Sequence, residues 1–113
     1  MIYLASPYSH PDAAVMEQRF HDVCRVAGSM MHDGLIVFSP IAHTHSIAVV
    51  GKLPRSWEFW GKYDHEFIAA SEKVIVLMMD GWLQSKGVRA EILIANSLNI
   101  PVEYMEFDLQ SVI

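Results

Sequence analysis

Apolar residues fall into two patterns along this chain: short unbroken blocks, and stretches where they recur every three or four positions. The blocks Ile2-Tyr3-Leu4-Ala5, Leu35-Ile36-Val37-Phe38 and Val74 to Met79 have strand length, and Pro101-Val102-Glu103-Tyr104 reads as a fourth strand. Met16, Phe20, Val23, Ala27 and Met30 recur at helical spacing to about His32. Trp57 to Ser71 and Ser85 to Asn99 show the same period.

Local punctuation sets the ends of these elements. Ser9 or His10 is the expected cap of the first helix, with Pro11 in its first turn, and Asp33-Gly34 is its stop. Ser39-Pro40 opens a long stretch through Pro54 that reads as irregular, with a single helical turn around Ser46 to Val50. Ser56 and Ser85 are good caps for the later helices.

The order βαβ, βα, βα predicts an α/β fold, a flavodoxin-like doubly wound parallel sheet of strand order 2-1-3-4 in three α/β/α layers. Residues 1–113 are expected to form one domain, with the tail from Glu106 to Ile113 packing on it or on a neighbouring subunit. Ligands of such sheets bind outside the carboxyl ends of the strands. Tyr3 to Ser9, Ser39 to His45 and Asp80 to Gly87 should therefore converge on one crevice.

Two charges break the helical pattern. Glu91 falls inside the apolar stripe of Val88, Ile92, Ala95 and Leu98, and Asp64 falls inside that of Trp60, Phe67 and Ile68. A carboxylate aimed at a core is costly unless it meets hydrogen bonds or a ligand. Each has a plain structural explanation, Glu91 pairing with a buried Arg or Tyr and Asp64 sitting on a surface near Lys62. Together they also suit glycosidic cleavage, in which one carboxylate attacks or stabilises an oxocarbenium-like carbon and the other manages a proton.

Other polar residues of the crevice suggest binding. Ser85 caps a helix whose free N–H groups favour an anion, and Gly87 leaves room for a ligand to approach that turn. Lys86 or Arg89 beside it would suit a phosphate, although a solvated charge is the default. Ser6, Tyr8, Ser9, His43, His45 and Asp80 complete the candidate binding set. His43 and His45 alternate as metal ligands sometimes do, but no cysteine pair or third ligand at a diagnostic spacing accompanies them, so no metal or other cofactor is expected. A histidine donating to a base or sugar is the alternative, and a plain loop histidine another. Trp57, Phe59, Trp60 and Tyr63 crowd one stretch of helix, as core, interface or stacking platform. No Walker-type loop, Gly-x-Gly-x-x-Gly, Gly-x-Ser-x-Gly or Cys-x-x-Cys occurs.

Composition narrows the partners. The chain carries 8 basic residues and a net charge of -5, with Lys and Arg scattered, so a nucleic-acid polymer is not expected. No apolar run nears the ~18 residues that a membrane helix needs. No signal peptide is visible, and the single Cys24 suits a small core residue in a reducing cytoplasm. A hydrophobic fraction of 52% leans toward an oligomer.

Ile2-Tyr3-Leu4-Ala5-Ser6-Pro7, Ser39-Pro40, Asp64 ahead of a strand, and Ser85-Lys86-Gly87-Val88-Arg89-Ala90-Glu91 with Ala95 and Pro101-Val102 together resemble the nucleoside 2-deoxyribosyltransferase-like superfamily. The resemblance spans nearly the whole chain and is greatest to its small bacterial and phage members. It implies cleavage or transfer at an N-glycosidic bond of a small nucleoside or nucleotide, with Glu91 as nucleophile, Asp64 contacting the sugar and aiding proton transfer, and Tyr3 orienting Glu91. The Ser85-x-Gly87-Val88 pattern is similar to that of nucleotide hydrolases accepting a 5'-phosphate, where transferases carry Asp. A homo-oligomer is also implied, because active sites of the superfamily are often completed by a neighbouring subunit. The chain departs from the pattern at Gly81 to Gln84, an insertion, at Leu93, usually Gly, and at Pro7-Tyr8-Ser9, which replaces a Gly-rich turn. A ligand sensor without turnover, or a structural protein whose aromatic helix is an interface, are the competing expectations.

Overall fold

The computed structural model describes residues 1–108. Four parallel strands, β1 (Ile2–Ala5), β2 (Val37–Phe38), β3 (Lys73–Met78) and β4 (Val102–Glu106), form one sheet in the order β2-β1-β3-β4. The four helices are α1 (Ala13–His32), α2 (Pro40–Val50), α3 (Trp57–Ala69) and α4 (Lys86–Ser97). The expected three-layer α/β/α architecture and its 2-1-3-4 strand order are therefore the observed ones.

Alternation along the strands divides the core. Ile2, Leu4, Ile75 and Leu77 pack with Val23, Val26, Ala27 and Met30 of α1, while Tyr3, Ala5, Val74 and Val76 pack with Ile68 of α3 and with Val88 and Ala95 of α4. Side chains two apart share a face of a strand, so one odd-numbered tyrosine in β1 is directed between α3 and α4. Met105 and Phe107 pack against the α1 side, and the remainder of the tail, 109–113, lies outside the described residues.

Four boundaries differ from the sequence expectation. The first helix is capped neither by Ser9 nor by His10 but by Asp12, whose Oδ1 accepts the Ala14 amide at 2.9 Å. A carboxylate accepts that bond more strongly than a neutral side chain and also faces the positive end of the helix dipole. The stretch after Ser39 is helical for eleven residues instead of irregular. Ser39 caps it by accepting from Ala42 N at 3.2 Å, and Pro40 supplies a fixed φ in the first turn. Its inward residues are Pro40, His45 and Ala48, so a buried histidine interrupts the stripe, and exposed Ile47, Val49 and Val50 blur the other face. Strand β2 pairs only over Val37–Phe38, leaving Leu35 and Ile36 exposed. Strand β4 starts one residue after Pro101, which lacks a ladder donor, and runs on to Glu106.

Candidate functional site: a carboxylate pair in the strand-end crevice

Beyond the carboxyl ends of the strands, the loop after β1, helix α2, the start of α3 and the turn into α4 enclose a cleft of about 370 Å³. Its bottom is built by three elements. Tyr3, fully buried in the central strand β1, sends its hydroxyl up between the two helices and donates it to Oε2 of Glu91 on α4. Asp64 on α3 lies close enough for its charge to act on the same hydroxyl. Asp64 and Glu91 are only 8% and 4% exposed, yet both line the cleft.

Electrostatics explain what such a trio does. Burial, with the Asp64 charge adding to it, pushes the Glu91 carboxyl well above the usual range, while the Tyr3 hydrogen bond opposes the rise. Burial likewise lifts Asp64 to about 7, again opposed by Tyr3. Tyr3 itself is raised by burial and by the two carboxylates, so it keeps its proton. A hydroxyl has one hydrogen. Donated to Glu91, it leaves the Tyr3 oxygen with lone pairs only, and the two carboxyls, both pushed upward by burial, hold one proton between them as a coupled pair.

The turn into α4 forms one rim. Ser85 Oγ accepts from Val88 N at 3.2 Å, and the first-turn amides of Lys86 and Gly87 lie ahead of any intrahelical carbonyl. Lys86 crosses to Glu58 of α3 in an exposed ion pair, which draws the Glu58 carboxyl below its usual value. Trp57 sits between the two helices. A Cβ on Gly61 would meet its ring at 2.9 Å, and one on Gly87 would meet it at 3.9 Å. Glycine at 61 leaves the indole room to lie in the cleft wall, whereas a side chain at 87 would meet it only at ordinary contact distance.

The opposite wall carries a hydrogen-bonded series. Tyr8 meets His45 Nδ1 at 2.6 Å, and His45 Nε2 meets Glu17 at 3.1 Å. Arg55 lines the cleft beside Tyr8. Arg19 holds this wall to the α4 turn by donating to the carbonyls of Ser9, Tyr8 and Asp80 at 3.0, 3.3 and 3.3 Å. Ser6 Oγ is buried at 5% exposure, lines the cleft and has no hydrogen-bond partner. A buried hydroxyl in that condition costs free energy that a polar group entering the cleft would recover.

Of the residues singled out from the sequence, Glu91, Asp64, Ser6, Tyr8, Ser9, His45, Ser85 and Gly87 line this one cleft, with Tyr3 hydrogen-bonded beneath it. His43 does not join them. It is exposed, its Nδ1 lies 2.8 Å from the Ser39 carbonyl and its ring rests on Phe38. Asp80 also lies outside the lining, contributing its backbone carbonyl to Arg19. Thr44 and Gln84 line the cleft as members of stretches expected to converge there, whereas Arg55 lies outside those stretches and nothing in its local spacing marked it. Among the described residues, no three His, Cys, Asp or Glu side chains gather as metal ligands would, and no helix is long and apolar enough to cross a membrane.

Fold and site together define a small doubly wound α/β domain with a tyrosine-linked carboxylate pair in its crevice. The chain belongs to the family described as Domain of unknown function (DUF1937), whose model matches residues 1–107. No curated protein matches the sequence.

Proposed function

We propose that this protein cleaves or transfers the N-glycosidic bond of a small nucleoside or nucleoside 5'-monophosphate. The observation that carries the reading is the Tyr3 hydroxyl bonded to Glu91 at the bottom of a cleft that the buried Asp64 also lines. Of the one proton that the pair shares, the reactive arrangement has it on Asp64: Glu91, ionised and aimed by Tyr3, attacks the anomeric carbon, and Asp64 gives the proton to the departing base. Water or an acceptor then releases the sugar from Glu91. The two acids need unlike protonation states at one pH, and a coupled buried pair that shares one proton supplies them.

The rest of the cleft supports a ligand of that class. A volume of about 370 Å³ suits a compact molecule. The α4 amino end, with Lys86 and Arg55 on the rim, favours a terminal phosphate. The unpartnered Ser6 hydroxyl is a ready contact for a polar ligand.

The test is release of free base from a panel of nucleosides and nucleoside monophosphates, followed by chromatography. Release by the wild type and its loss in Glu91→Gln is the expected outcome. A ligand that stabilises both proteins and is recovered intact from each would replace the enzyme by a nucleotide sensor. No release at high protein concentration with any member of the panel would refute the reaction.

A further inference from the structure

The wall opposite the carboxylates contains a hydrogen-bond series that glycosidic chemistry at Glu91 does not use. His45 is 6% exposed and stacked on Phe20, with ring centroids 4.1 Å apart and planes 21° from parallel. Both its ring nitrogens are engaged, Nε2 with Glu17 Oε2 at 3.1 Å and Nδ1 with the Tyr8 hydroxyl at 2.6 Å. The other Glu17 oxygen faces His21 Nε2 at 3.6 Å.

Hydrogen-bond directions follow from this arrangement. A carboxylate only accepts, so the hydrogen of a neutral His45 ring resides on Nε2. Nδ1 is then a bare lone pair, and Tyr8 must donate to it. The single phenolic hydrogen is thereby spent on the wall, and the Tyr8 oxygen offers the cleft lone pairs alone. Arg55 donates toward that oxygen and takes up one of its lone pairs, which leaves the other to face the cleft as an acceptor. Burial raises the Tyr8 hydroxyl above its ordinary value, so the phenol stays protonated.

We propose that Tyr8 is a specificity-determining residue, a hydrogen-bond acceptor fixed by Glu17 through His45, which selects a base carrying an amino group over one carrying a carbonyl at the same ring position. The inference rests on the reading of the cleft as a nucleoside or nucleotide site. Glu17 acts here as a positioning residue, because it touches the ligand only through His45 and Tyr8.

The experiment is calorimetric binding at pH 8 of two matched pairs of nucleoside 5'-monophosphates, cytosine against uracil and adenine against hypoxanthine. Within each pair the phosphate is the same, so phosphate contacts cancel. The wild type should bind the amino member of at least one pair about tenfold more tightly, the worth of one hydrogen bond. Tyr8→Phe should erase the preference. Glu17→Lys places a donor against Nε2, moves the ring hydrogen to Nδ1 and turns the Tyr8 O–H toward the cleft, so the preference should reverse. Glu17 is exposed, and circular dichroism verifies that this variant folds.

Equal binding within both pairs, a preference that survives Tyr8→Phe, or no binding of any of the four ligands would overturn the inference. A preference unmoved by Glu17→Lys would overturn the orienting role. Preferential binding with all ligands recovered intact would sink the glycosidic reaction and leave this inference standing. Release of base without preference would do the reverse.

Discussion

The Tyr3 hydroxyl donates to Glu91 Oε2 across 88 positions of sequence, from the central strand to the first turns of α4. Because Tyr3 is fully buried and packed on Phe38, its ring has one way to point, and Glu91 is held by a group that cannot swing away. Tyr3→Phe removes the hydrogen bond and keeps the ring. If the proposed reaction operates, base release should fall roughly tenfold to a hundredfold in Tyr3→Phe and at least a thousandfold in Glu91→Gln. Steady-state kinetics on the best substrate checks both, and equal losses in the two variants would contradict an orienting role for Tyr3.

The buried acids make stability fall as pH rises. Asp64 titrates near 7 in the folded chain and near 4 when unfolded, and Glu91 is displaced in the same direction. Between those values the folded state binds more protons than the unfolded one, so the free energy of unfolding declines from about pH 4 through about pH 7. The stabilisation is complete below the unfolded value and lost above the folded one. Urea unfolding from pH 4 to pH 8 should show the decline, with Asp64→Asn flattening it and gaining on the order of a few kcal/mol at pH 8.

Gly61 and Trp57 separate ligand binding from stability. Alanine is the better helix former by about 1 kcal/mol, but its Cβ would stand 2.9 Å from the Trp57 ring and must displace it. Gly61→Ala should therefore leave the melting temperature level or raised while weakening any ligand of the cleft. A thermal melt and a binding titration on the same sample decide this, and unchanged affinity would remove Trp57 from the cleft wall.

Gly81 and Arg19 tie the two loops of the crevice together. Gly81 has φ +91°, and an added Cβ would lie 2.5 Å from Arg19 Nη2. Gly81→Ala meets both backbone strain and the loss of Arg19 from the Asp80 carbonyl, for about 1–2 kcal/mol of destabilisation. Arg19→Met keeps the backbone relaxed and frees the three carbonyls, so amide exchange should quicken in both 6–10 and 80–85. Exchange that quickens in one loop alone would mean that the guanidinium does not couple them.

Much of the architecture follows from local sequence, and the reason is period. Unbroken blocks such as Val74 to Met79 can bury both faces only inside a covered sheet, and the 3.6 period of α1 and α4 records which side meets it. The same arithmetic exposed Glu91 and Asp64, because a charge inside an apolar stripe is visible on one helix without its partner. Helix α2 escaped that reading since its inward face holds His45 while its outward face holds Ile47, Val49 and Val50. Period fails where polarity no longer reports burial.

The chain by itself determined the strands and the two inward acids, from side-chain spacing along single elements, and the strand order, from the succession of strands and helices. Only the tertiary structure decided that His45 lies between Tyr8 and Glu17, that His43 turns away and that Arg55 enters the cleft, and it supplied the Tyr3–Glu91 bond that the resemblance had only implied. Those outcomes depend on which rotamers fit once helices and sheet are packed at contact distance, and hydrogen bonds between distant residues leave no periodic trace in the order of amino acids.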